Sequence, residues 1–124
     1  MKNLFDIKDY VVVITGGTGV LGRTIAKYLA QNGAKVAILG RKEEVGNAIV
    51  NDIKKAGGDA CFFKTDVMNQ EVVEQNCKDI LEKYGHIDTL LNDAGGNQPG
   101  AVIGPDQNFF DLDPEQFQKV LNLN

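Results

Sequence analysis

The chain has 124 residues, 43% of them hydrophobic and 24% charged, with a formal net charge of −4. That suits one domain burying roughly two-thirds of its unfolded surface, and the acidic balance argues against a general nucleic-acid binder. Two cysteines and one histidine are too few for a zinc site of the usual ligand count, so no metal site is expected.

The start, Met1-Lys2-Asn3-Leu4-Phe5-Asp6, lacks the apolar core of a signal peptide. No apolar run approaches the ~20 residues of a membrane span. A cytoplasmic protein without membrane contact is therefore expected. The run Tyr10–Ile14 is apolar without alternation, the mark of a strand covered on both faces, as in parallel sheets. A helical stripe follows in Leu21, Ile25, Tyr28 and Leu29, then a second strand at Val36–Leu39. The next helix places Val45, Ala48, Ile49, Ile53 and Ala56 on one face and leads to a third strand, Ala60–Phe63. Val73, Cys77, Ile80, Leu81 and Tyr84 form a third stripe, which predicts both Cys77 and the strand residue Cys61 as buried hydrophobes. A fourth strand is centred on Leu90–Leu91. Gly33, Gly57-Gly58 and Gly85 end the three helices, since glycine takes the left-handed conformation of a helix C-terminus. With right-handed crossovers this order gives an α/β, doubly wound parallel sheet, a Rossmann fold spanning 1–124 as one domain.

Residues Asp93–Asp113 are rich in glycine and proline without a period, and a loop of this length is usually functional or disordered. A last helix then starts with Asp113 as N-cap, Pro114 at its first position and Gln116 placed for a capping box. Its apolar face is Phe117, Val120 and Leu121. Asn124 falls on that face at the helix end, where a frayed, solvated side chain is expected.

After the first strand stands Thr15-Gly16-Gly17-Thr18-Gly19-Val20-Leu21-Gly22. Gly17, Gly19 and Gly22 fit the dinucleotide fingerprint G-x-G-x-x-G between a strand and a helix. The first glycine permits the tight turn, the second admits a pyrophosphate to backbone N–H groups, and the third lets helix and strand pack closely. The helix N-terminus then faces the anion. A ligand-free tight turn is the bland alternative. A second alternative is a phosphate-binding loop over Gly17–Thr24, but Arg23 stands where that loop needs lysine. At the end of the second strand Gly40-Arg41-Lys42 replaces the acidic residue that usually holds the NAD ribose. Arg41 is able to grip a 2′-phosphate bidentately, which favours NADP(H) over NAD(H); alternatively Arg41 and Lys42 pair with Glu43 and Glu44 on the surface.

On these residues the chain resembles the N-terminal, cofactor-binding part of a short-chain dehydrogenase/reductase. Four features carry the resemblance across nearly the whole chain: the Thr15–Gly22 loop with its lead-in Phe5-Asp6-Ile7-Lys8, Asp66-Val67 after the third strand, Asn92-Asp93-Ala94-Gly95 after the fourth, and the helix Phe117–Asn124. The resemblance implies cofactor contacts by Thr15, Gly16, Gly17, Gly19, Leu21, Gly22, Arg41, Asp66, Val67, Asn92, Ala94 and Gly95, with Asp66 on the adenine amino group. Asn124 matches the asparagine of the family's catalytic tetrad. Thr15 is placed to bond the backbone near Asn92. The loop and Ala94-Gly95-Gly96-Asn97-Gln98-Pro99 look like members acting on sugar acids, the D-mannonate (fructuronate) oxidoreductases and gluconate 5-dehydrogenase-like proteins, so a sugar acid or polyol is the implied small-molecule substrate.

Two residues depart from the pattern. Val20 takes the family's middle glycine, a spacing similar to the extended branch that includes sugar-nucleotide epimerases. Asp93 replaces an asparagine, and a carboxylate near a pyrophosphate is repelled, so Asp93 is expected to point away or to meet a donor.

The family's chemistry needs a serine and a tyrosine with a lysine four residues on, whose charge lowers the phenol pKa. This chain has no serine, and Ile14, Asn32 and Asp88 follow its tyrosines at that spacing. The expectation is the N-terminal half of a longer NAD(P)-dependent oxidoreductase, truncated after the fourth strand and fourth helix and inactive alone. A non-catalytic dinucleotide-binding module and an extended-branch epimerase fragment are the alternatives. Truncation here leaves the fourth strand at a sheet edge, which predicts self-association.

Overall fold

Four strands form where the continuous apolar runs stand: β1 (Val11–Thr15), β2 (Lys35–Gly40), β3 (Asp59–Lys64) and β4 (Thr89–Asn92). Three helices separate them, α1 (Val20–Gln31), α2 (Glu43–Lys55) and α3 (Gln70–Tyr84). All pairings are parallel, and the strand order is β3-β2-β1-β4. This computed structural model describes residues 3–124. Of the start read above for a leader, Met1 and Lys2 lie outside the described residues. The chain divides into two units, one ending at Asp93 and one running from Ala94 to Asn124.

In the first unit, alternate residues of the central strands face opposite ways. Val12, Ile14, Val36 and Ile38 pack with Ala26, Ala30, Ile49, Val50 and Ile53 of α1 and α2. Val11, Val13, Ala37 and Leu39 pack with Ile80 of α3. Each such valine, leucine or isoleucine contributes about 1.5–3 kcal/mol of transfer free energy. β1 is buried throughout, whereas β4, at the edge, has only Leu91 half-buried and leaves Leu90 57% exposed. The expectation of strands covered on both faces thus holds at the centre of the sheet, holds in part at the edge strand β3, whose Phe62 and Phe63 pack on opposite faces, and fails at the other edge strand, β4.

The helix faces differ from the sequence pattern in an instructive way. α1 buries Gly22, Ala26 and Ala30, while Leu21 and Tyr28 are 64% and 65% exposed. Small residues at i, i+4 and i+8 bring the helix axis close to the sheet, and large ones cannot fit there. α2 buries Gly46, Ile49, Val50 and Ile53, leaving Ala48 and Ala56 outside. The Phe62 ring occupies the space that a Cβ on Gly46 would need. α3 buries Asn76 and Ile80, and Val73, Cys77 and Leu81 are exposed. Cys77 is therefore a surface thiol, contrary to expectation, and Cys61 is half-buried. Gly33, Gly57 and Gly85 have φ of 91°, 87° and 83°, the left-handed geometry expected at the helix ends. Among the described residues no helix is long and apolar enough to cross a membrane.

The second unit contains short 3-10 turns at Pro99–Ala101 and Phe109–Asp111, then α4 (Pro114–Leu123). The Asp113 carboxylate accepts from the amides of Glu115 (2.9 Å) and Gln116 (3.4 Å), as an N-cap should. The expected capping box with Gln116 does not form. Gln116 Oε1 accepts instead from Gly100 N (2.7 Å), while Asp113 N donates to Gly100 O (2.8 Å), so both residues fasten the glycine-rich loop to α4.

Candidate functional site: the dinucleotide cradle

The chain runs outward from β1 through β2 to β3, then returns to place β4 on the other side of β1. The topological switch point therefore lies between β1 and β4, outside whose carboxyl ends such sheets bind ligands. The loop Thr15–Gly22 leaves β1 at that point, and Asn92 ends β4 in register with Thr15. Thr15 Oγ1 accepts from Asp93 N at 3.1 Å and ties the two strand ends, as the sequence predicted.

Each glycine of the loop has its own reason. The turn's positive φ (68°) falls on Gly16, not on Gly17 as the fingerprint assigns it, because Gly16 N must donate to Leu39 O (2.9 Å) while Gly16 O accepts from Gly19 N (3.1 Å). Gly17 is a packing glycine, since a Cβ there would lie 2.7 Å from Ile38 Cγ2. At Gly22 a Cβ would stand 2.6 Å from Gly16 O, 2.7 Å from Asp93 Oδ2 and 2.8 Å from Gly17 Cα. Gly19, by contrast, would meet only Gly16 O, at 3.4 Å, so it faces open space on the side where a ligand approaches.

Gly19 is the N-cap of α1, with no side-chain cap and no acidic residue in the first turn. Unbonded first-turn N–H groups at the positive end of a helix are what anions bind in general. Leu21 points its side chain to solvent, so its share in such a site is its backbone N–H. The Asp93 carboxylate lies over the packed face of Gly22, and no hydrogen-bond donor to it is found among the described residues.

The remaining predicted residues divide between the two units. Arg41 follows Gly40 at the end of β2, exposed, and among the described residues neither it nor Lys42 has an ion-pair partner. Asp66 and Val67 follow β3, where Asp66 Oδ1 accepts from Met68 N (3.0 Å) and Asp66 O from Asn69 N (3.0 Å). Ala94, Gly95 and Asn124 belong to the second unit. There Asn124 is exposed at the end of α4, as expected, but its side chain is hydrogen-bonded. Its Nδ2 donates to Gly96 O and Val120 O (both 2.8 Å), and its Oδ1 accepts from Gly96 N (3.2 Å). A Cβ on Gly95 would lie 2.8 Å from Asn124 Oδ1, so a side chain at 95 would displace the Asn124 amide from its present position.

Sequence reasoning missed two residues. Thr18 packs on Gly40, where a Cβ would lie 2.7 Å from Thr18 Cγ2, and so braces the loop against the β2 end that carries Arg41. Asn76, 6% exposed, donates to Thr65 Oγ1 at 2.6 Å, and Thr65 N donates to Gly40 O at 2.7 Å. This pair fixes the end of β3 immediately before Asp66. A polar residue four positions before Ile80 on the inward stripe was its signal.

Tyr84 is packed into the fold rather than set up as an acid–base group. Tyr84 packs beside Cys61, and burial pushes its phenol above the ordinary value, helped by the neighbouring Cys61 and Asp59. Its hydroxyl donates to Asp59 Oδ1 at 3.2 Å. Burial likewise pushes the Cys61 thiol up.

The cradle's fit to a dinucleotide is thus geometric: an uncapped helix start, a glycine facing open space, and an unpaired arginine at the second strand. A family profile described as short chain dehydrogenase matches residues 10–124. The chain belongs to the short-chain dehydrogenase family. It is 44% identical over 120 residues to an uncharacterised oxidoreductase, UxuB, of Bacillus subtilis (strain 168), covering 90% of this chain and 43% of that protein. Among solved structures it is similar to a provisionally named D-mannonate oxidoreductase from Haemophilus influenza with bound NAD. That match has a TM-score of 0.86 and 32% identity, and covers 95% of this chain and 46% of the other. An actinorhodin polyketide ketoreductase variant with NADPH matches with a TM-score of 0.81 and 27% identity, over 93% and 41% of the two chains. This short-chain dehydrogenase chain therefore spans less than half the length of the relatives it matches.

Proposed function

We propose that residues 1–124 are the dinucleotide-binding half of an NADP(H)-dependent oxidoreductase of the short-chain type. The observation that carries this reading is the uncapped start of α1 behind Gly19 at the β1/β4 switch point. Thr15, Gly16, Gly17 and Gly22 shape that loop, while the backbone N–H groups of its helix start, including that of Leu21, take the pyrophosphate. Asp66 and Val67 hold the adenine end, and the family resemblance adds Asn92, Ala94 and Gly95 as further cofactor contacts. Arg41, exposed and free of Glu43 and Glu44, takes a ribose 2′-phosphate in the bidentate manner open to a guanidinium. The fold accepts both cofactors in the neighbours named above, so the preference for NADP(H) rests on Arg41.

When bound, the nicotinamide supplies the hydride exchanged with a secondary alcohol or ketone. This chain's residues bind and orient, and Asn124 holds the Gly96 peptide where the family has its catalytic asparagine. The serine and the tyrosine–lysine pair are absent from the sequence, so the isolated chain is expected to turn over no alcohol. A sugar acid or polyol is the proposed substrate class of the full enzyme, supported by the likeness to the D-mannonate oxidoreductase. We place the protein in the cytosol and infer that the isolated chain self-associates through the β4 edge and its exposed Leu90.

The test is a fluorescence titration of the purified chain with NADPH and NADH, and a competition with ATP–Mg²⁺. NADPH is expected to bind at least ten-fold more tightly than NADH, with Arg41→Ala abolishing the difference. Equal or tighter binding of NADH refutes the cofactor assignment, and binding of ATP–Mg²⁺ alone refutes the family reading of the loop.

A further inference from the structure

Arg23 stands in the first turn of the glycine loop's helix, and the dinucleotide reading gives it no role. A phosphate-binding loop would have a lysine here, reaching toward the ligand. The structure places the side chain differently. Arg23 Nε donates to Gly19 O and Nη2 donates to Thr18 O, both at 3.3 Å, so the guanidinium grips two consecutive carbonyls of the loop. Gly19 O also accepts from Arg23 N at 2.9 Å, and Gly19 N donates to Gly16 O at 3.1 Å. Among the described residues Arg23 has no carboxylate partner, so nothing on the protein competes for it.

We propose that Arg23 is a positioning residue that clamps the glycine loop from its carbonyl side and thereby aims the loop's N–H groups at the pyrophosphate; this rests on the dinucleotide reading above. The argument is the planarity of the peptide. In a trans peptide the N–H points opposite to the C=O. Holding Gly19 O toward Arg23 therefore turns Val20 N–H the other way, out of the uncapped start of α1. The loop is glycine-rich and conformationally permissive, so without a clamp those peptides lose orientation and the anion site loses its preorganised donors. A guanidinium suits the task because its fixed fork reaches two acceptors at once, whereas an ammonium is a single point of charge.

The experiment compares the wild-type chain with R23A, R23K and K27A. Lys27, one turn further along α1, pairs with Asp52 on the surface and serves as a charge-matched control. Two quantities are read: the dissociation constant for NADPH, and amide hydrogen exchange across Gly16–Thr24 in the absence of nucleotide. The expected result is a roughly five-fold weaker NADPH complex in both R23A and R23K, the order of one exposed charge-assisted pair. Exchange at the Gly19 and Arg23 amides should be about five-fold faster in both, with K27A unchanged and thermal midpoints alike. Exchange in R23A equal to wild type overturns the clamp. Full recovery in R23K overturns it too, because charge alone would then suffice. A wild-type chain that binds neither dinucleotide refutes the Proposed function and the ligand half of this inference. Exchange in R23A still decides the clamp itself in that case.

Discussion

Substituting Gly22 by alanine adds one methyl group on the line where α1 meets β1. In an ordinary helix that change is favourable by about 1 kcal/mol, because alanine loses less backbone entropy than glycine. Here the new Cβ would lie 2.6 Å from Gly16 O, 2.7 Å from Asp93 Oδ2 and 2.8 Å from Gly17 Cα. Two of the three are backbone atoms that cannot rotate away, so relief requires moving the helix off the sheet. Ala26 and Ala30 on the same buried stripe would lift with it. Overpacking of this kind costs about 1–3 kcal/mol, and backbone contacts put Gly22→Ala at the top of the range. The net loss is then about 2 kcal/mol, a fall of roughly 8 °C in the thermal midpoint for a domain of this size. Urea unfolding at constant slope gives the same quantity. Gly19→Ala is the contrast, since its Cβ meets only Gly16 O at 3.4 Å. It should keep stability within about 1 kcal/mol and lose dinucleotide binding. A Gly22→Ala chain as stable as wild type refutes the reasoning, because close approach would then not be what requires glycine.

Asn76→Ala leaves Thr65 Oγ1 without its buried donor, and should cost about 1–3 kcal/mol in urea unfolding; a double variant with Thr65→Val should lose less than the two single losses combined. The half-buried Cys61 has its thiol pKa raised chiefly by burial, so its contribution is fully present below the unfolded value of roughly 8.5 and is lost as pH rises through the higher folded value. Urea midpoints under reducing conditions should therefore fall above about pH 9, less steeply in Cys61→Ala, and an identical slope in that variant refutes the assignment. Ellman's reagent at pH 8 should find one fast thiol, the exposed Cys77, and Cys77→Ala should abolish that phase. Leu90→Lys places a charge on the exposed edge strand, and light scattering should show it to be monomeric at concentrations where the wild-type chain associates.

What the sequence made legible is what short-range physics decides. The unbroken apolar runs gave the strands, and glycine at 33, 57 and 85 marked helix ends that are left-handed in the structure. Thr15 reached its partner as expected, because a threonine at the end of β1 is one strand away from Asp93 N. Misreadings arose where hydrophobicity competes with volume. The α1 stripe was assigned to Leu21, Ile25, Tyr28 and Leu29; Ile25 and Leu29 do pack against the core, but Leu21 and Tyr28 are exposed, and the fully buried positions are the small residues Gly22, Ala26 and Ala30. On α3 the predicted Ile80 is buried and Tyr84 packs beside it, but the buried place one turn earlier goes to Asn76 rather than Cys77, because Asn76 has a buried partner in Thr65.

Polar residues were misread for another reason. Gln116 matched a capping box in sequence, but its nearest unsatisfied donor in space is Gly100 N, sixteen residues away. Asn124, though exposed, bonds both the backbone N–H and the carbonyl of Gly96. Those partners sit in a loop with no period, so no local pattern announces them. The consequence for function is specific. The proposed pyrophosphate cradle is built from neighbours in sequence and can be recognised from a string of eight residues. Arg23 and Thr18 turn back on that string and brace it, while the Asn76–Thr65 pair fixes the end of β3 before Asp66. A loop that carries the fingerprint without such braces has the right composition for an anion site but lacks the fixed donor directions that make one bind.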